Sequence, residues 1–165
     1  MKTRKLAPVI AAVLAAMVTV AMPIAAQKKG QPASGGTNGG GSGSVVTSIS
    51  VGDLRGLLSD MGYEPRTLEG QDSAWAVQME ERPVLVRVGS NGQNLLLWTY
   101  VQGGSLDKVN QWNKEKRFSR AYLDGDGDAN VEWDIDLEGG VTLGAVREGI
   151  RTFQAVVQIF KGYGF

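Results

Sequence analysis

The stretch that decides the fold is Ser119-Arg-Ala-Tyr-Leu-Asp-Gly-Asp-Gly-Asp-Ala-Asn-Val-Glu-Trp-Asp-Ile-Asp-Leu137. Its second half alternates strictly. Val131, Trp133, Ile135 and Leu137 share one parity, and Glu132, Asp134, Asp136 and Glu138 share the other. Side chains on a strand point to opposite faces in turn, so this is a strand buried on one side. The run Asp124-Gly-Asp-Gly-Asp128 suits a reversal, because Gly permits positive φ and Asp bonds to nearby backbone. Ser119 to Leu123 is then the partner strand, and the whole reads as a β-hairpin.

The chain on either side supplies the other layers. Downstream, Thr142 caps a helix whose Leu143, Val146, Ile150, Phe153, Val157 and Phe160 form one apolar stripe. Upstream, Ser105 caps a helix with Leu106, Val109 and Trp112 on its inner side, and Lys114, Lys116 and Arg117 suit its C-terminal end. Further back, Tyr63–Glu69 is expected as an edge strand limited by Pro65. Trp75, Val77 and Met79 mark a second strand and Val84, Val86 and Val88 a third, with Glu80 to Pro83 turning between them. Asn94–Val101 is a fourth, introduced by the turn Ser90-Asn91-Gly92. Ser50 and Asp53 open a first helix carrying Leu54, Leu57, Leu58 and Met61, and Gly62 closes it. The predicted order is α-β-β-β-β-α-β-β-α, an α+β fold with an antiparallel sheet flanked by helices.

The N-terminal quarter is of another kind. Lys2, Arg4 and Lys5 precede the apolar run Leu6–Met22, and Pro23-Ile-Ala-Ala26 follows. That is the pattern of a secretory signal peptide over residues 1–26, with an uncleaved membrane anchor as the alternative. Residues 27–47 are Gly- and Ser-rich and read as a disordered linker, and residues 48–165 as the domain. The chain has 17 basic and 17 acidic residues. Without Lys2, Arg4 and Lys5 the balance is −3, and without Lys28 and Lys29 as well it is −5. An acidic domain lacks the basic field that nucleic-acid binding requires. The expected location is periplasmic or extracellular, or anchored at the membrane if the leader is retained.

There is no Cys and no His. That excludes disulfides, thiolate zinc sites, cysteine nucleophiles, imidazole bases and the Ser-His-Asp arrangement. No catalytic residues and no cofactor are expected.

Two further segments are distinctive: Val109-Asn-Gln-Trp-Asn-Lys114, and Arg117-Phe-Ser-Arg-Ala-Tyr-Leu-Asp124 followed by Asp126-Gly-Asp128 and Leu137-Glu-Gly-Gly-Val-Thr142. Together with Leu57-Leu-Ser-Asp-Met-Gly-Tyr63 they resemble the YbjN family, also called bacterial sensory transduction regulators. The resemblance runs from about Ser48 to Tyr163. It implies a fold like that of type III secretion chaperones, often dimeric, and brings no catalytic motif. A homodimer is therefore one expected assembly, and a protein or peptide the expected partner.

Candidate binding residues follow from charge and aromaticity. Lys116, Arg117 and Arg120 lie near Trp112, and Glu132, Asp134 and Asp136 form an acidic row suited to a basic partner. Arg120 is the expected cross-strand partner of that row. Asp124, Asp126 and Asp128 are candidate calcium ligands, although Ala129 and Ile135 stand where an EF-hand needs Gly and Glu. The leading expectation is an exported, non-enzymatic protein-interaction or chaperone-like module. A small-ligand or calcium-binding sensor is the alternative.

Overall fold

In a computed structural model, residues 43–165 are described. The leader read over residues 1–26 and most of the linker lie outside them.

The element order is β1 (Val45–Val46), α1 (Val51–Asp60), β2 (Ala74–Met79), β3 (Arg82–Val88), β4 (Asn94–Val101), α2 (Leu106–Glu115), β5 (Arg120–Leu123), β6 (Ala129–Asp136), β7 (Val141–Thr142) and α3 (Leu143–Lys161). Five strands form one antiparallel sheet in the order β2-β3-β4-β6-β5, and β1 pairs with β7 separately. The α+β class and the central hairpins are as expected.

Each helix begins at the residue its cap predicts. The Asp53 N–H donates to Ser50 Oγ, the Lys108 N–H to Ser105 Oγ and the Ala145 N–H to Thr142 Oγ1. These bonds satisfy amides that have no partner in the first turn. The end of α1 is a complete Schellman motif. The Tyr63 N–H reaches the Leu58 carbonyl, the Gly62 N–H reaches that of Ser59, and Gly62 has φ +89°.

Helices α1, α2 and α3 contribute to one core on one face of the sheet. Leu54, Leu58, Trp112, Val146, Ile150, Phe153, Val157 and Phe160 bury there with Val77, Val84, Val86, Leu95, Leu97 and Val131. Gly149 permits the closest approach. A Cβ at that position would lie 2.7 Å from Ile135 Cδ1, so the helix seats directly on β6. Sequence alternation puts Arg87, Leu96, Trp98, Tyr100, Tyr122 and Asp134 on the opposite face.

Three expectations need correction. Tyr63–Glu69 is no strand. It makes a single bridge, with the Arg66 N–H to the Ala76 carbonyl and the return bond from the Ala76 N–H. Pro65 lacks the donor that would extend the ladder. The β2–β3 turn is only Glu80-Glu81, because Arg82 and Pro83 already pair in the strand. Both turn residues have positive φ, +50° and +63°, as a two-residue hairpin with the right twist requires. Lys161 Nζ donates to the Glu80 carbonyl and to Glu81 Oε2, and Gln154 Nε2 to Glu80 Oε1. Finally, Val45 and Val46, which the sequence reading left in the linker, form a short ladder with Val141–Thr142.

Candidate interaction face

The open face of the sheet is organised by a cross-strand pair. Arg120 on β5 stands opposite Glu132 on β6. Arg120 Nε donates to Glu132 Oε1 at 2.6 Å, and a second guanidinium nitrogen closes the ion pair. Tyr122 Oη donates to Glu132 Oε2 at 3.1 Å. Glu132 is only 6% exposed. Both of its oxygens are therefore occupied, the condition under which a buried carboxylate is tolerated. The hydrogen bond from Arg120 and the charge of Glu132 raise the guanidinium pKa further. Burial, the Glu132 charge and the hydrogen bond to it push the Tyr122 phenol up to about 12.

Around this pair, Arg87, Leu96, Arg120, Tyr122, Glu132 and Asp134 line a shallow open basin of about 550 Å³. On the same face, next along β4, Trp98 and Tyr100 stack with centroids 5.6 Å apart. Trp98 Nε1 donates to Asn130 Oδ1 at 2.9 Å. Asn130 Nδ2 in turn donates to the Asp128 carbonyl and to Asp124 Oδ2. The acidic hairpin loop thus fixes the orientation of Trp98 through Asn130.

The candidate calcium ligands Asp124 and Asp128 sit in this loop as structural acceptors. Asp124 Oδ1 accepts the N–H groups of Asp126 and Asp128, each at 3.0 Å. Asp128 Oδ1 accepts the Gly103 N–H at 2.8 Å. Burial alone would raise the Asp124 pKa, but the donors of Asp128, Asn130, Asp126 and Gly127 together hold it below its ordinary value. The carboxylates of Asp124 and Asp128 are engaged by amides, that of Asp126 is exposed, and no group of three acidic side chains among the described residues converges as a ligand set.

Other predicted site residues divide. Trp112 is fully buried, with its indole N–H on Ser119 Oγ and its ring against Phe160, Tyr163 and Phe165. It is core and cannot touch a partner. Lys116 lies over the Tyr163 ring at 5.6 Å, and Arg117 is exposed. Asp134 and Asp136 are exposed on β6, on the same side as Glu132. Arg87, Tyr100 and Tyr122 were not singled out as binding residues from sequence, and Trp98 was placed in the core by default. The polar parity of Arg87 and Tyr122 between apolar neighbours was the available signal.

Both outer strands are partly blocked against further pairing. At β2 the bridge from Arg66 occupies Ala76. At β5 the Asn113 side chain takes both backbone groups of Ala121, accepting its N–H at 2.8 Å and donating to its carbonyl at 3.0 Å. Covering edges in this way opposes uncontrolled strand addition.

The fold and this face define a small α+β domain with helices on one side of an antiparallel sheet and a charged, aromatic surface on the other. The chain belongs to the YbjN family, whose model, described as "Putative bacterial sensory transduction regulator", matches residues 50–161. Among solved structures it is similar to that of YbjN from E. coli, at 17% identity and a TM-score of 0.52, covering 69% of this chain and 92% of that one. This likeness shows the fold. The HopA1-SchA chaperone-effector complex is similar at 10% identity and a TM-score of 0.47, covering 67% of this chain and 88% of that one, a level that does not by itself establish a shared fold. No curated protein matches.

Proposed function

We propose that the chain is an exported, non-enzymatic domain that binds a protein partner through the helix-free face of its sheet, as a chaperone-like or regulatory module of the bacterial cell envelope. The observation that carries this reading is that face. It combines a solvent-open basin lined by Arg87, Arg120, Tyr122 and Asp134 with the stacked Trp98 and Tyr100 on the same face. Aromatic and Arg side chains are enriched at interaction surfaces, whereas small-molecule sites are concave and enclose most of their ligand. A shallow basin therefore favours a macromolecule over a metabolite.

Export is supported by the basic, apolar and small-residue succession over residues 1–26. Membership of a family described by regulation supports an interaction role, and the lack of Cys and His narrows the available catalytic chemistry. The test is twofold. Mass spectrometry of the chain recovered from cell fractions should find a mature N-terminus at Gln27 outside the cytoplasm. Partner capture through the sheet face should be lost on Arg87→Glu. A cytoplasmic, uncleaved chain would overturn the export half, and capture indifferent to Arg87 would overturn the assignment of the face.

A further inference from the structure

The strand β6 is longer than the strand beside it. On one side it pairs with β4 along its whole length, Ala129 with Val101 through Asp136 with Asn94. On the other, β5 pairs only with Ala129–Glu132. The interruption is at Phe118, whose φ of +58° turns the chain away just before β5 begins. Trp133–Asp136 consequently have no ladder partner on that side among the described residues.

The direction of the backbone groups follows from the bonds around them. The Leu137 N–H points to the β4 side, to the Gln93 carbonyl. On β5, Ala121 turns its N–H and carbonyl to Asn113, away from β6. Alternation therefore directs the backbone groups of Glu132, Asp134 and Asp136 toward the β5 side. Those of Glu132 meet Arg120. Those of Asp134 and Asp136 extend past the end of β5. Beside this gap Ser119, Arg120, Glu132, Trp133 and Asp134 line a small open pocket. Phe118, 59% exposed, lies against the Trp133 ring with centroids 5.7 Å apart.

We propose that this open half-edge of β6 accepts an extended peptide segment with alternating cationic and apolar residues, added antiparallel in line with β5. The inference rests on the protein-binding reading above and gives that reading a second contact with defined chemistry. The side chains specify the occupant. Across the ladder, Glu132 is matched by Arg120, whereas Asp134 and Asp136 face no residue from β5. Their β4 partners, Leu96 and Asn94, carry no charge. A cation opposite each of them repeats the Arg120–Glu132 arrangement. The intervening residue of the peptide would lie beside Trp133 and Ile135, on the parity that packs toward α3, and so is apolar. A second copy of the same edge is a poor occupant, because like charges would meet at Asp134 and Asp136.

The test is amide hydrogen exchange on the full chain with a synthetic Lys-Val-Lys-Phe-Lys-Val peptide, its Glu-Val-Glu-Phe-Glu-Val counterpart and a proline-interrupted version. Only the first should bind and slow exchange at the Asp134 and Asp136 amides. Asp134→Lys with Asp136→Lys should weaken it about tenfold, the scale of two cross-strand charge pairs. Both positions are exposed, so folding should survive. Binding without that protection, protection by the acidic peptide, no binding, or self-association abolished by the same variant would each overturn the proposal. If capture of a partner through Arg87 persists in any of these cases, the sheet-face reading stands while the half-edge falls. If neither is seen, both fall.

Discussion

Arg120 and Glu132 face one another across the β5–β6 ladder, yet the arginine side chain is 71% exposed and the glutamate only 7%. The pair is thus a buried acid held by a surface base and by Tyr122, and the three side chains act as a unit. Removing the acceptor leaves the Tyr122 hydroxyl without its partner in a half-buried setting. Glu132→Ala should cost about 1–3 kcal/mol in denaturant unfolding and Tyr122→Phe about 0.5–1.5 kcal/mol. A loss within about 0.5 kcal/mol for Glu132→Ala would place it with ordinary surface substitutions.

Tyr122 gives this unit a pH signature. Its folded pKa, about 12, lies above the ordinary tyrosine value of 10.0. The folded state therefore holds the phenolic proton longer than the unfolded chain does. The associated stability is complete below pH 10 and is lost as pH rises toward 12. An ultraviolet phenolate titration should show Tyr122 ionising late, with that last step absent in Tyr122→Phe. A single tyrosine transition near the ordinary value would contradict the buried setting.

The Glu80-Glu81 turn holds two glutamates in the left-handed region, where residues other than Gly, Asn and Asp are strained. Glu81 is fully exposed and its bond to Lys161 is a surface ion pair of small worth. Glu81→Gly should therefore raise the thermal midpoint by a few degrees. A fall would mean that the contact between α3 and the turn outweighs the backbone strain.

Asp124 organises its loop through amide donors, so it should behave as a structural acid. Its carboxyl is held below the ordinary range, and the stability it provides is present above that range and lost as pH falls through its folded value. Asp124→Ala should lower the midpoint at neutral pH, flatten the acid limb, and alter near-ultraviolet circular dichroism by releasing Asn130 and Trp98. Calcium should leave the wild-type melting curve unchanged, since a ligand that binds the native state raises it.

The sequence carried the local decisions well. Ser50, Ser105 and Thr142 each cap a helix because a short oxygen side chain before an apolar stripe has one favourable use there. The β5–β6 hairpin and the placing of Arg120 beside the acidic row were legible because alternation fixes the face, whereas the register that sets Arg120 opposite Glu132 came from the structure. Features set by distant partners were not legible. Tyr63–Glu69 has strand-like content, but only Arg66 finds a bridge. Glu132 reads as one of four exposed acids, and its burial depends on Arg120 and Tyr122 closing over it. Trp112 sits beside basic residues in sequence, whereas its surroundings are decided by Phe160, Tyr163 and Phe165, some fifty residues on. The stop at Phe118, which leaves half of the β5-side edge of β6 without a ladder partner among the described residues, has no sequence signature because a bulky residue seldom adopts positive φ.

The measurement that bears most directly on the interaction face is site-specific photo-crosslinking in producing cells, with the reactive side chain at Leu96 on the open sheet face and, as control, at Arg55 on the exposed side of α1. A discrete protein adduct from Leu96 that disappears with Arg87→Glu, and none from Arg55, is the predicted result. No adduct from Leu96, or the same adducts from both positions, would contradict it.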